Sequence, residues 1–188
     1  AASVEDVSSS PRNAMNSLAT ASASSCARSA EGSFTRTLST TDLASADAWK
    51  GRIANEYDGN PYEYLVRLAR IAQKDGVIRG ILVHQGESNF DDKQWPGKMK
   101  KVYDDLMSDL NLKPRDVPLL AGEVVNADHQ GEKAAFNEIL KTLPQTLPNS
   151  YAISSAGLPC NADHLHFTPD GQRELGRRYA AQMLNLMG

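Results

Sequence analysis

The feature that most constrains this chain is an alternation that sets in near Trp49. From there, short continuous apolar runs alternate with amphipathic stretches at close spacing, the pattern of βαβ units on a parallel sheet. Asn60-Pro61 supplies a helix N-cap and a first-turn proline, and Tyr64, Leu65, Leu68, Ile71 and Ala72 recur at helical spacing until Asp75-Gly76 stops the run, which predicts a helix over roughly 61–74. Ile78 to His84 reads as a strand buried on both faces and ends in the polar Gln85-Gly86-Glu87-Ser88-Asn89. Met99, Val102, Tyr103, Leu106, Met107 and Leu110 mark a second helix, Val117 to Val125 a second strand, and Ala134 to Leu143 a third helix. Tyr151 to Ser155 reads as a third strand, after which Thr168 caps and Pro169 opens a last helix carrying Leu175, Tyr179, Met183 and Leu186. The expected fold is a three-layer α/β/α domain on a parallel sheet, with active-site groups in loops at the carboxyl ends of the strands.

The first part of the chain has a different texture. More than half of residues 1–47 are Ala, Ser or Thr, and large apolar side chains are sparse, so little core can form there. The expected division is therefore a low-complexity or loosely ordered segment over 1–47 and one α/β domain over 48–188. The formal charge of -3 and a pI near 5.8 give no electrostatic footprint for nucleic acid, and no basic cluster is interleaved with aromatics. Cys26 and Cys160 lie far apart and show no zinc-type spacing, so both are expected as free thiols. No apolar stretch is long enough for a bilayer, and Ala1-Ala2-Ser3-Val4-Glu5-Asp6 lacks the basic and apolar regions of a signal peptide. The expectations are no membrane partner and no compartment written in the chain.

Two loops hold most of the reactive side chains. One is His84-Gln85-Gly86-Glu87-Ser88-Asn89; the other is Asp163-His164-Leu165-His166-Phe167-Thr168, just before the last helix. An Asp three residues before a His lets the carboxylate reach one ring nitrogen and fix the tautomer, freeing the other nitrogen to act as a general base. The same spacing suits an aspartate that caps a turn and a histidine packed beneath the helix, and for an isolated Asp-x-x-His that is the commoner outcome. His164 and His166 stand two apart, as metal ligands can, but no third ligand of suitable spacing accompanies them, so no metal is expected. Glu123 and Asn126 could line the cleft or bond to a neighbouring loop. Asp128 and His129 read as solvated loop residues. Trp95 could stack on a ligand ring, although closing the edge of the core is the commoner role of a tryptophan.

His84-Gln85-Gly86-Glu87-Ser88-Asn89 after an apolar strand, with Asp163-His164-Leu165-His166-Phe167 before a helix, resembles the flavodoxin-like SGNH hydrolase superfamily. The nearest branch is that of xylan acetylesterases and sialate O-acetylesterases, and the likeness runs from about residue 48 to the end. It takes in Tyr57-Asp58-Gly59-Asn60-Pro61-Tyr62 and Leu120-Ala121-Gly122-Glu123-Val124-Val125-Asn126. The resemblance implies a carboxylic ester hydrolase that removes acetyl groups from carbohydrate such as xylan by serine-type acyl transfer, without a cofactor and in a secreted setting. It places Asp163 and His166 in the catalytic machinery and Gln85 as an oxyanion donor. Glu87 becomes an orienting group or an alternative carboxylate for the histidine, and Gly86 and Asn89 become pocket lining.

Relatives carry their serine in a Gly-Gln-Ser-Asn type motif after the first strand and a second oxyanion donor on a later glycine-bearing loop, and this sequence has neither motif. The N-terminal side of the fold is thus expected to be incomplete, replaced or frame-altered, with Ser88 as a weak candidate nucleophile because its surroundings lack the closing glycine of a Gly-x-Ser-x-Gly elbow. A non-catalytic relic that keeps a carbohydrate cleft is the competing expectation. A second copy of the chain covering the exposed sheet edge is another. For the Ser/Ala/Thr-rich segment the expected outcome is the absence of strong amide-exchange protection across residues 5–45, and protection throughout would show a folded element there.

Overall fold

The computed structural model describes residues 61–188, so the Asn60 cap, Cys26 and the low-complexity segment lie outside the described residues. Within them, three parallel strands form one sheet in the order β1 (Ile81–His84), β2 (Leu119–Gly122), β3 (Ser150–Ile153). The register pairs Ile81 with Leu119 and Leu119 with Ser150 at one end, and His84 with Gly122 and Gly122 with Ile153 at the other. All three carboxyl ends therefore open onto one rim, as the alternation predicted.

Each strand is shorter than its apolar run, for identifiable reasons. Ile81 donates its N–H to the carbonyl of Pro118, but Pro118 has no N–H to return, so the β1–β2 ladder stops there. At the other end the backbone of Val124 leaves the ladder for a side chain: its N–H donates to Asn137 Oδ1 at 2.9 Å, and its carbonyl accepts from Asn137 Nδ2 at 3.1 Å.

The side chains of β2 alternate between two cores. Leu119 and Ala121 face the helices α1 (Pro61–Ala72), α2 (Trp95–Asp109), α3 (Phe136–Leu140) and α4 (Leu143–Thr146). Leu120 faces α5 (Pro169–Met187), together with Ile153, Phe167, Leu175 and Tyr179. Helices on both faces of the sheet make the three-layer α/β/α fold that the sequence predicts. In α2 the buried residues Trp95, Met99, Val102, Tyr103, Leu106 and Met107 recur at three- and four-residue spacing, giving the apolar stripe that docks on the sheet. Its last carbonyls are satisfied from α1, since Arg70 donates to Asp109 O and Gln73 to Leu110 O. The single helix predicted over Ala134 to Leu143 is two helices instead. Pro144 cannot donate to the carbonyl of Leu140, so the first ends there and the proline opens the next.

On the opposite face, Thr168 caps α5 by accepting the N–H of Gly171 at 3.2 Å, and Gly171, Leu175 and Tyr179 form its buried stripe. The helix lies over β2 and β3, leaving Leu82 of β1 with 43% exposure. Tyr179 reaches across the sheet to donate to the Val83 carbonyl at 2.5 Å. That path exists because position 122 is glycine, where a Cβ would stand inside the Tyr179 hydroxyl and close against His84 Nδ1. Among the described residues no helix is long and apolar enough to cross a membrane.

Gly122→Ala is expected to destabilise the fold by about 1–3 kcal/mol through this overpacking. Urea denaturation checks it, and in a Tyr179→Phe background the same substitution should cost less than in wild type, because part of the collision is already gone.

Candidate active site

The loop before α5 is a small hairpin that builds a carboxylate–imidazole pair from local backbone geometry. Asn161 N–H donates to the His166 carbonyl at 2.8 Å, Thr168 N–H donates to Pro159 O at 3.0 Å, and Cys160 bridges to Phe167 in antiparallel fashion. Within the turn, Asp163 Oδ1 accepts the backbone N–H groups of Leu165 and His166, both at 3.0 Å. Its other oxygen, Oδ2, lies 2.8 Å from His166 Nδ1. Asp163 is therefore a turn cap and the histidine's partner at once. His166 does not pack beneath the helix; its side chain keeps 49% exposure, and the neighbouring Phe167 is the buried residue. With Nδ1 engaged by the carboxylate, Nε2 is the nitrogen left over, and it has no hydrogen-bond partner among the described residues.

The bond from His166, reinforced by the two turn amides, holds the Asp163 carboxyl down at about 2. A carboxylate that stays ionised this far into acid keeps its hold on the imidazole over the whole working range.

His164 serves a different end. Its φ of 53° puts it in the left-handed region and sends its side chain back to the loop after β2, where Nδ1 lies 3.1 Å from the His129 carbonyl. Its own carbonyl accepts the Glu132 N–H at 3.1 Å. That neighbouring loop is in turn fixed to the end of β3, because Asp128 Oδ2 accepts Gly157 N–H at 2.6 Å. Asp128 and the His129 carbonyl, expected as solvated groups, are thus the struts between loops. Glu123 and Asn126 resolve the same way: Glu123 is 2% exposed, and its Oε2 accepts Ser155 N–H at 2.9 Å and Asn126 Nδ2 at 3.2 Å.

The loop after β1 is equally determined. Gln85 is 2% exposed; its Nε2 donates to Asn89 Oδ1 at 2.6 Å and its Oε1 accepts the Trp95 indole N–H at 2.7 Å. Trp95 is fully buried, edge-on to Phe136 at 5.0 Å between ring centroids, so it belongs to the core and stacks on no sugar. Gly86 is buried where a Cβ would stand inside the Phe136 ring, which explains the glycine. Glu87 partners His84, not His166: Glu87 Oε1 is 3.9 Å from His84 Nε2, and Glu87 Oε2 accepts the Gly86 N–H at 3.2 Å. Ser88 is exposed on the 3-10 turn Glu87–Asn89, and no serine hydroxyl among the described residues is hydrogen-bonded to His166.

His84 is the residue whose part the sequence analysis missed. It ends β1 with its ring 5.7 Å from that of Phe167, and its Nδ1 is buried without a hydrogen bond. Burial pushes its imidazole down and the charge of His166 pushes the same way, while the Glu87 carboxylate pulls it up. His84 is consequently neutral at neutral pH and links the two loops through packing. Its place at a strand end, beside a conspicuous polar run, was the signal that could have found it.

A carbon NMR titration of the Asp163 carboxyl is expected to give a midpoint near about 2, rising toward the ordinary 3.8 in His166→Ala. A depressed carboxyl adds stability that is present above the unfolded value and lost as pH falls through the folded one. Both side chains are about half exposed, so screening keeps that contribution small. Glu87→Gln should lower the His84 midpoint further, because it removes the one carboxylate pulling upward.

Comparison with known proteins agrees with this architecture. An X-ray structure of an Arabidopsis thaliana protein at 1.6 Å resolution superposes with a TM-score of 0.57 at 29% identity, covering 66% of this chain and 52% of that one. The chain thus spans about half the length of that protein. The family model described as carbohydrate esterase, sialic acid-specific acetylesterase, matches residues 40–185, and the chain belongs to that family.

Proposed function

We propose that this chain hydrolyses acetyl esters on carbohydrate hydroxyls by serine-type acyl transfer, with His166 as general base and acid and Asp163 as the group that orients it. The observation that carries the reading is the 2.8 Å contact between Asp163 Oδ2 and His166 Nδ1, on a half-exposed histidine at the carboxyl rim of a parallel sheet. Family membership supplies the ester class.

In the proposed reaction a serine hydroxyl attacks the acetyl carbonyl carbon while His166 Nε2 takes its proton. The tetrahedral intermediate then collapses, the bond from carbon to sugar oxygen breaks, and His166 returns the proton to that oxygen. Water repeats the sequence on the acetyl-enzyme and releases acetate. Asp163 holds the ring and stabilises the imidazolium. Gln85 was expected to touch the oxyanion, but its burial against Trp95 and Asn89 favours a positioning role, in which it fixes the loop bearing Glu87 and Ser88. Ser88 is the serine carried by that loop and the first nucleophile to test, since catalytic hydrogen bonds are often unmade before substrate binds.

Purified protein is expected to release acetate from 4-nitrophenyl acetate and, among natural substrates, from acetylated xylan or O-acetylated sialic acid. His166→Ala should abolish turnover, and Asp163→Asn should reduce kcat by about three to four orders of magnitude with the fold intact by circular dichroism. Turnover that survives His166→Ala would remove the reading. Loss in His166→Ala with none in Ser88→Ala would place the nucleophile elsewhere in the chain.

A further inference from the structure

The apolar stripe that docks α5 on the sheet does not stop where the sheet stops. Leu175 and Tyr179 are buried against β2 and β3, and Met183, Leu186 and Met187 follow at the same three- and four-residue spacing. These last three lie at the amino ends of the strands, where the Met183 thioether stands over Gly80, and Leu186 and Met187 keep 37% and 57% exposure. They form one side of a cavity of about 470 Å³, at the end of the sheet opposite the rim that carries Asp163 and His166. The other side comes from the segments that lead into the three strands: Arg79 ahead of β1, Arg115 ahead of β2 and Asn149 ahead of β3, with Tyr151 inside β3.

The polar groups of this cavity are positioned but little engaged. Arg79 makes no ion pair or hydrogen bond among the described residues, and neither does the Tyr151 hydroxyl. Arg115 Nε lies 3.5 Å from the carboxylate of its neighbour Asp116, with the two side chains 78% and 54% exposed, a loose surface pairing that a better-placed anion can replace. Asp116 also lines the cavity, so two guanidinium groups stand there against one carboxylate and the balance is cationic. The turn that bears Arg115 is held from both sides: the Pro114 carbonyl accepts the Tyr103 hydroxyl at 2.9 Å and Asn149 Nδ2 at 2.8 Å. A ligand meeting Arg115 therefore does not have to order that stretch of backbone.

We propose that this cavity is a second binding site, separate from the esterase centre, for a small amphiphilic anion: an aliphatic chain along Met183, Leu186 and Met187 that ends in a carboxylate or phosphate bound by Arg79 and Arg115. The two sides of the cavity select the two parts of that ligand. A guanidinium group binds the oxygens of either headgroup through a fork of N–H donors, and the unbranched, polarisable methionine side chains adapt to a flexible aliphatic body. A neutral chain would leave both arginines unused, and an anion without a chain would leave the apolar side wet. The volume falls within the range of about 300–1,000 Å³ that small-molecule sites occupy.

The test titrates the full chain with octanoate and octyl phosphate, with 1-octanol as a tail without charge and acetate and inorganic phosphate as heads without a tail. Amide NMR should show the two amphiphiles shifting signals of residues 79–80, 115–118, 149–151 and 183–187. Each is expected to bind at least about ten-fold tighter than octanol and than its own head alone. Arg79→Gln and Arg115→Gln should each weaken both amphiphiles about three- to ten-fold, and Met187→Gln about two- to five-fold. All three side chains are exposed, so circular dichroism should be unchanged in every variant. Which of octanoate and octyl phosphate binds tighter identifies the headgroup, and either supports the site. Octanol binding as tightly as octanoate, affinity that survives both arginine changes, shifts confined to residues 84–90 and 161–168, or no binding at all overturns it. A dimer by light scattering whose interface signals fall on residues 183–187 also overturns it, because a second copy of the chain is then the occupant. Binding is read without turnover, so loss of the esterase reading leaves this site standing.

Discussion

A single buried carboxylate holds the rim of this molecule together. Glu123 leaves β2 where the ladder ends and accepts the Ser155 N–H at the end of β3, with Asn126 on its own loop and the Lys141 ammonium at 3.5 Å from its second oxygen. Ser155 is fully buried, and its hydroxyl goes to the Val124 carbonyl at 2.7 Å, so its N–H has no water to fall back on. Removing the carboxylate would leave a buried donor unsatisfied, at a cost of about 1–3 kcal/mol. The consequence reaches further than β3. Residues 123–131 form the base on which Asp128 meets Gly157 and the His129 carbonyl meets His164, and the hairpin carrying Asp163 and His166 leans on that base.

The three layers, the shared rim and the Asp163–His166 pair were all legible in the sequence, because each rests on short-range rules. Alternation of apolar runs fixes a parallel sheet, and a three-residue spacing lets an aspartate serve both the turn amides and the ring. What escaped the sequence depends on tertiary choice. Asn137 could not be recognised as a substitute strand partner for Val124, since an Asn–backbone pair leaves no periodic trace. Likewise Glu87 stands as an alternative carboxylate for His166 until the loops are folded, and only then does it fall to His84. Gln85 shows the same limit: a polar residue in a reactive-looking run is drawn inward by an indole N–H ten residues on, a partner that composition cannot nominate.

The division of labour between the two loops follows from burial. The loop after β1 is anchored by groups that are almost wholly enclosed, Gln85, Gly86 and Asn89, and it offers Glu87, Ser88 and Phe90 at its surface. The hairpin before α5 does the opposite. Its reactive pair is open to solvent, and its orientation comes from the turn's own backbone, with Phe167 as its apolar anchor. A firmly anchored wall therefore faces a self-contained turn; under the proposed reaction the first would set substrate geometry and the second would move the proton.

The two histidines of that turn, alike in chemistry and two positions apart, are sorted by the sign of one dihedral angle. Because His164 sits at a φ of 53°, the chain reverses between them, and one ring becomes a strut against the next loop while the other pairs with Asp163 and stays half exposed. A β-branched residue at 164 would resist that conformation and also lose the strut; asparagine or glycine would accept the conformation and lose only the strut. The identity of position 164 thus governs how firmly the turn is moored, and that of position 166 what it can do. Natural variation could loosen the mooring of this loop without altering a single reactive atom.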